Sequence, residues 1–385
     1  MSGSVKQDKE TGTWCFVIDV RSIDGKRKQL RRRGFTTKKD ATLTMATVLA
    51  DQARGTFLRP SKVTLGQFLL DEWLPAKRAS LRPSTARSYE QIIRTSIVPN
   101  LGAMALADID GSALNTLYGY LLTDGRTETR RNLGSGLSAK TVRNVHGVLT
   151  RALRDAVRWG RILRNPCDAA DPPRGASPEM TAWSSSQLAE FVWSVADHRL
   201  SAIWRLIATT GLRRGEVLGL RWTDVDLANG KMTIRSTRIR HGQIIESSTP
   251  KTVKGNRTIS IGPDAISALR TWRSAQAAER LQIGGGWMNT DNLVVTNADG
   301  SGPNPESFSN LFRTLSKRAG LPVIRLHDVR HSYATAALAS GVPVKVLSQR
   351  LGHADVGVTL KTYAHVMPGD DEEAARRADT VLAIP

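Results

Sequence analysis

The apolar residues of this 385-residue chain change their period along its length. Around Thr13–Arg21, Trp14, Phe16, Ile18 and Val20 alternate with polar neighbours, the period-2 pattern of a strand with one buried face. Ile23-Asp24-Gly25-Lys26 supplies a turn, Lys28–Arg33 a second strand, and Gly34 and Phe35 lead into a third short element. From Thr37 to Ala53 the spacing becomes helical, with Leu43, Ala46, Val48, Leu49 and Ala50 available for an apolar face. Gly55–Lys62 reads as a linker. Residues 63–172 read almost entirely as helix. Leu65, Phe68, Leu69 and Trp73 recur at helical spacing, and Ser84 is placed to cap a helix through Tyr89, Ile92 and Ile93 that Pro99 ends. Ser138 caps a long helix with Val142, Val145, Leu149, Leu153 and Val157 on one stripe, and Asn165-Pro166 stops the helical run beyond it. The Pro-rich break Asp171–Gly175 opens the largest unit, residues 176–385. There, Ser184 or Ser185 caps a helix and a second runs through Trp204 to Gly211. Segments 231–240, 244–246 and 257–261 read as a short antiparallel sheet. Helices return at 263–281, 307–319, 328–339, 343–351 and near Tyr363. The expectation is an α+β chain of three parts: residues 1–60 with a small three-stranded sheet, a helical domain over 63–172, and a mainly helical domain over 176–385. Trp183, Trp193, Trp204 and Trp222 read as core.

Charge adds a partner. The formal net charge is +20, which points to a polyanion, since Lys and Arg gain affinity by releasing counterions from phosphates. Residues 1–62 alone hold 7 Lys and 7 Arg against 6 acidic residues, with Arg21, Lys26, Arg27, Lys28, Arg31, Arg32 and Arg33 on the expected sheet. Lys140, Arg143, Arg151, Arg154, Arg158 and Arg161 lie opposite the apolar stripe of the long helix, a face suited to phosphates. No apolar run approaches the roughly 20 residues needed to span a bilayer, and the polar start lacks a secretory core, so no membrane partner is expected. The two cysteines, Cys15 and Cys167, read as reduced thiols of a cytoplasmic protein.

Four strings carry chemistry: Thr210-Gly211-Leu212-Arg213-Arg214-Gly215-Glu216, Pro250-Lys251-Thr252, His327-Asp328-Val329-Arg330, and Leu351-Gly352-His353 followed by Tyr363. Breaking a phosphodiester needs a nucleophile, charge held on the phosphoryl oxygens and an acid for the leaving oxygen. The last domain offers no obvious carboxylate triad for metal ions. It offers arginines, which fork onto two oxygens and stay charged, and a tyrosine able to form a covalent phosphoester. Each residue also has an ordinary structural reading. Arg213 could be a surface arginine at a helix start, His327 and Arg330 an exposed pair, His353 a helix end, and Tyr363 a core tyrosine.

Taken together and in order, the strings resemble the signature of the tyrosine recombinase (phage integrase) family. The resemblance implies that Tyr363 attacks the scissile phosphate and becomes 3′-phosphotyrosyl, while Arg213 and Arg330 bind the non-bridging oxygens. It implies that Lys251 protonates the departing 5′ oxygen, with Lys254 in the same turn as the alternative. His327 would assist proton transfer at the tyrosine, His353 would hydrogen-bond the phosphate, and Glu216 would orient a catalytic residue. No metal or other cofactor is expected. Residues 1–60, 63–172 and 176–385 would be arm-binding, core-binding and catalytic domains, the last two clamping the duplex like a C. Double-stranded DNA bearing attachment sites, a homotetramer on it, and DNA-bending and excision accessory proteins are the implied partners, in a bacterial host cell. The tail Asp370–Pro385 would dock on a neighbouring subunit. Asp355-Val356-Gly357 departs from the small polar residues common in that loop of the family. The competing readings are a non-catalytic DNA-binding regulator or decayed integrase, and a type IB topoisomerase-like relaxing enzyme.

Overall fold

A computed structural model describes residues 3–21, 27–53, 62–126, 134–175, 181–241, 244–248, 256–353, 355–363, 375–376 and 379. The turn at 23–26, most of the linker, Lys251, Lys254 and most of the tail fall outside the described residues. The chain divides into two compact units, Met1–Ser177 and Pro178–Pro385.

In the first unit, β1 (Gly3–Gln7), β2 (Trp14–Arg21) and β3 (Arg27–Phe35) form an antiparallel sheet in the order β1-β2-β3. The alternation in β2 turns Phe16 and Ile18 inward, where α1 (Lys38–Ala53) meets them through Val48. The third strand is the polar N-terminal segment, not an element after Gly34. Its residues are exposed or half-buried, so it needs no apolar pattern to pair. β3 runs unbroken to Phe35 because a bulge opposite Trp14 and Phe16 absorbs an extra residue, with Gly34 at φ 93°. Arg31, Arg32 and Arg33 are exposed.

The helical part starts at Thr64, whose hydroxyl caps α2 (Leu65–Gln67) in a reciprocal pair with the Gln67 side chain. The helix continues through the π-helical turn Phe68–Trp73 into α3 (Leu74–Arg78). Arg82, not Ser84, precedes α4 (Pro83–Ile92), because Pro83 fits the first helical turn. Pro99 does not end that helix. The chain passes through a second π-helical turn, Ile93–Ile97, into α5 (Val98–Leu101), where the missing N–H of Pro99 falls in a first turn and needs no partner. Asp110 caps α6 (Gly111–Asp124), and Ser138 caps α7 (Ala139–Arg158) as expected. Val142, Val145, Leu149 and Leu153 of α7 are buried with Leu69, Trp73 and Leu117. Lys140, Arg143, Arg151, Arg154 and Arg158 of α7, and Arg161 beyond it, are exposed.

The second unit begins with Ser184, which caps α8 (Ser185–Ser194), followed by α9 (Ser201–Thr210) and α10 (Arg214–Leu218). The expected single sheet is two. β4 (Val225–Asp226), β5 (Lys231–Ile234) and β8 (Arg257–Ser260) pair in the order β4-β5-β8, while β6 (Thr237–His241) and β7 (Ile244–Ser248) form a separate ribbon. Then come α11 (Pro263–Ile283), α12 (Pro305–Arg318), α13 (Leu326–Ala339), α14 (Val344–Leu351) and α15 (Val356–Tyr363). Trp183, Trp204 and Trp222 are core, the first two among Phe191 and Phe312. Trp193 is not: it is 76% exposed, because α8 turns Phe191 inward and leaves Trp193 on its far side. Asp355 gives α15 a start, accepting from Gly357 N through Oδ1 at 3.0 Å and from Val358 N through its carbonyl at 3.2 Å. Among the described residues no helix is long and apolar enough to cross a membrane.

Candidate functional site

Two helices that border the site end on a left-handed glycine. α9 stops at Gly211 (φ 63°) and α14 at Gly352 (φ 67°), both left-handed. A Cβ at Gly211 would lie 2.5 Å from Tyr333 Cδ1, and one at Gly352 would lie 2.9 Å from Arg257 Nη1. Conformation and space therefore both require glycine. Helix C-termini leave carbonyls without helical partners, carrying partial negative charge. Arg330, on α13, uses two such carbonyls as its seat. Its Nη1 donates to Gly211 O at 2.9 Å and its Nη2 to Leu351 O at 2.6 Å. The guanidinium is buried. Burial first, then repulsion from Arg213, pulls its pKa down to about 9, which still leaves it charged at neutral pH.

Arg213 stands in extended conformation immediately before α10, and Glu216 occupies the third helical position. Glu216 accepts from the Arg213 backbone N–H at 3.0 Å and from its Nη1 at 2.8 Å. From β8, Arg257 reaches the same carboxylate with Nη1 at 3.1 Å and Nη2 at 2.9 Å, while its Nε donates to Arg350 O at 2.6 Å. Burial alone would raise the pKa of Glu216. The hydrogen bond and charge of Arg257, joined by Arg213, override it and hold the carboxyl at about 2. One ionised carboxylate thus holds two guanidinium groups.

Tyr363 ends α15 and is 2% exposed. Its hydroxyl lies 2.6 Å from His331 Nδ1. Burial pushes the phenol up to about 12, partly offset by the charge of Arg330. His353, just past α14, sets Nδ1 2.7 Å from Thr359 Oγ1. Burial, then Arg330, Arg213 and Arg257, hold its imidazole down at about 4, so the ring is neutral at physiological pH. His327 is exposed in the otherwise buried first turn of α13, its ring 5.3 Å from that of His331 and edge-on to it. Beside them Arg213, Arg214, Arg313, Arg325 and His327 line a cleft of about 680 Å³.

The charges of Arg330 and Arg213 thus reach His353, that of Arg330 reaches Tyr363, and His327 lines the cleft beside Arg213. The tyrosine-side position expected of His327 is held by His331, one helical turn further on. Sequence reasoning missed His331 and Arg257. The four-residue spacing of His327 and His331, which places both on one helix face, was the available signal for the first. Arg257 offered none beyond its place at a strand start. Lys251 lies outside the described residues. Among the described residues no group of three or more His, Cys, Asp or Glu is arranged to hold a metal ion.

Known proteins match the chain part by part. The model of the phage integrase family matches residues 180–369, an arm DNA-binding domain model matches 4–52, and the SAM-like N-terminal domain model of phage integrases matches 64–122. A tyrosine recombinase XerC-like protein of Caldanaerobacter subterraneus subsp. tengcongensis is 30% identical, over 86% of this chain and 87% of that protein. The ICEBs1 integrase of Bacillus subtilis is 29% identical, over 66% and 70%. The Tn1549 transposon integrase, solved with transposon right end DNA, superposes with a TM-score of 0.67 at 20% identity over 83% of this chain and 100% of that one. A lambda integrase dimer bound to a COC′ core site gives 0.56 at 16% identity over 78% and 95%. The chain belongs to the tyrosine recombinase, or phage integrase, family.

Proposed function

We propose that this protein is a site-specific DNA recombinase that cuts and rejoins strands through a 3′-phosphotyrosyl link at Tyr363. The observation that carries the reading is a buried phenol hydrogen-bonded to His331, the chain neighbour of Arg330, whose guanidinium is seated on the carbonyl of Gly211, two residues from the anchored Arg213. A phosphoryl group docked between the two arginines would meet charges whose positions are already set by Glu216 and by the carbonyls of Gly211 and Leu351, so little reorganisation is needed as charge develops. With Thr359 donating to Nδ1 of neutral His353, its Nε2 keeps a proton for a phosphoryl oxygen. His327 lines the cleft beside Arg213 and adds a further donor there. Lys251 protonates the departing 5′ oxygen. The ester conserves the energy of the broken bond, so rejoining needs no ATP.

Residues 1–60, 63–172 and 176–385 serve as arm-binding, core-binding and catalytic domains in this reading. The partners are double-stranded DNA with attachment sites and three further copies of the chain. The structure of a lambda integrase tetramer bound to a Holliday junction, 17% identical to this chain, supports that reading. Accessory proteins that bend DNA and favour excision complete the reaction. A DNA-binding regulator has no use for a carboxylate-anchored guanidinium beside a buried phenol.

The test is a nicked duplex bearing the recombination site, on which cleavage releases a short fragment and traps the covalent adduct. Wild type is expected to trap the duplex, and Tyr363→Phe to bind it without trapping. Adduct formation by the phenylalanine variant would overturn the assignment of the nucleophile.

A further inference from the structure

We propose that His331 is the base that takes the proton of Tyr363 as the phenol attacks phosphorus, a deepening that rests on the recombinase reading above. Its Nδ1 lies 2.6 Å from the hydroxyl, the two rings are tilted by 46° with centroids 5.8 Å apart, and the hydroxyl belongs to a residue that is 2% exposed. Bulk water has little access to that proton, and the ring at hand is the natural recipient.

The chemistry calls for such a group. A phenol raised to about 12 is ionised in roughly one molecule in 100,000 at neutral pH. Attack by the neutral hydroxyl is slow, so the proton has to leave as the bond to phosphorus forms. A base does this only while neutral. Burial first, then Arg330 and Arg325, disfavour protonation of His331, against the pull of Asp328. The groups facing the ring are His327, Asp328 and Arg330 on its own helix, Arg325 before it, Tyr363 on α15, and His353 beyond α14. With the resident proton on Nε2, Nδ1 accepts the phenolic one. The Tyr363 oxygen bonds to phosphorus, the bond from phosphorus to the 5′ oxygen breaks, and the departing oxygen takes a proton from Lys251. In rejoining, the 5′ hydroxyl attacks, the tyrosyl–phosphorus bond breaks, and His331 returns its proton to the phenolate. His327 is one turn too early for this exchange.

Single-turnover adduct formation on the nicked duplex, followed from about pH 5 to about pH 9, tests the assignment with wild type, His331→Ala and His331→Asn. Asparagine can accept the phenol's hydrogen bond through its amide oxygen but cannot take the proton. The wild-type rate is expected to rise with pH and then level once His331 is neutral. Both variants are expected to bind the duplex as tightly as wild type and to cleave on the order of 100-fold more slowly at neutral pH. Their plateau should vanish, and added imidazole should restore part of the rate of His331→Ala. Should the alanine variant fail to fold, the asparagine variant decides by the same profile. His331→Asn cleaving at wild-type speed would overturn the proposal, since position alone would then suffice. Slow variants that keep the wild-type profile and ignore imidazole would overturn it too. Absence of an adduct with wild type would instead strike the recombinase reading, a separate failure.

Discussion

Glu216 sets the positions of two guanidinium groups, and its environment makes it the most consequential single charge of the site. A buried ion pair adds little net stability relative to an apolar replacement, but removing one partner strands the other. Arg257, whose side chain is 7% exposed, would lose the carboxylate that it meets with both Nη atoms. Glu216→Gln is therefore expected to cost on the order of 3 kcal/mol in urea unfolding at pH 7. The pH dependence has a definite sign. The folded pKa, about 2, lies below the ordinary 4.5, so the unfolded chain takes up the proton first. The stabilisation is complete above that ordinary value and is lost as pH falls toward the folded one. Wild type should weaken between about pH 5 and about pH 2, and Glu216→Gln should fall less steeply over the same range. Parallel curves would mean that the carboxylate is not held in the charged form. At this scale, the residues proposed to meet a phosphate were legible in the sequence, because Arg213, His327, Arg330, His353 and Tyr363 sit in compact strings. The residues that hold them were not. Arg257 lies 41 positions from Glu216 and 93 from Arg350, and no local pattern records partners so distant.

Helix ends, more than helix faces, build the active-site framework. α9 and α14 present their last carbonyls to Arg330, and each can do so because it terminates on a left-handed glycine. Gly352→Ala would add strain of about 1–2 kcal/mol from the backbone alone and push a methyl group toward the Arg257 guanidinium. The expected result is a lower melting temperature together with adduct formation slowed ~10-fold or more through displaced cations, while duplex binding changes little. Unchanged cleavage would show that Arg257 can shift without disturbing Arg213. Elements with strong helical periodicity, such as α7 and α12, were legible because a single apolar stripe decides them. β1 was not, since a polar edge strand is specified by its pairing with β2 and not by its own residues. Nor was the passage through Pro99, where the chain absorbs a proline by opening a π-helical turn instead of stopping. The division of the expected sheet into β4-β5-β8 and the β6-β7 ribbon likewise depends on pairing partners that strand patterns do not name.

Across the whole molecule the net charge of +20 has to be spent on specific contacts if it is to do more than keep the protein soluble. α7 offers one place to measure this. Lys140, Arg143, Arg151, Arg154 and Arg158 fall on one face of a helix whose other face is core, a stripe roughly 27 Å long at the helical rise. Arg158 pairs with Asp155 and Arg151 leans over Tyr89, so part of the stripe has structural work as well. Lys140, Arg143 and Arg154 are the better probes. Each phosphate neutralised releases counterions, and the logarithm of affinity falls with the logarithm of salt at about 0.9 per contact. Lys140→Gln, Arg143→Gln and Arg154→Gln combined should lower the steepness of that dependence by roughly 2 to 3. They should weaken binding to unrelated duplexes as much as to the recombination site, because phosphate contacts carry no sequence. Tyr363→Phe, which removes chemistry and no charge, should leave the slope where it was. If the triple variant kept the wild-type salt dependence, the basic face of α7 would be a solvated surface, and the contacts that the charge serves would have to be sought on the sheet of β1, β2 and β3.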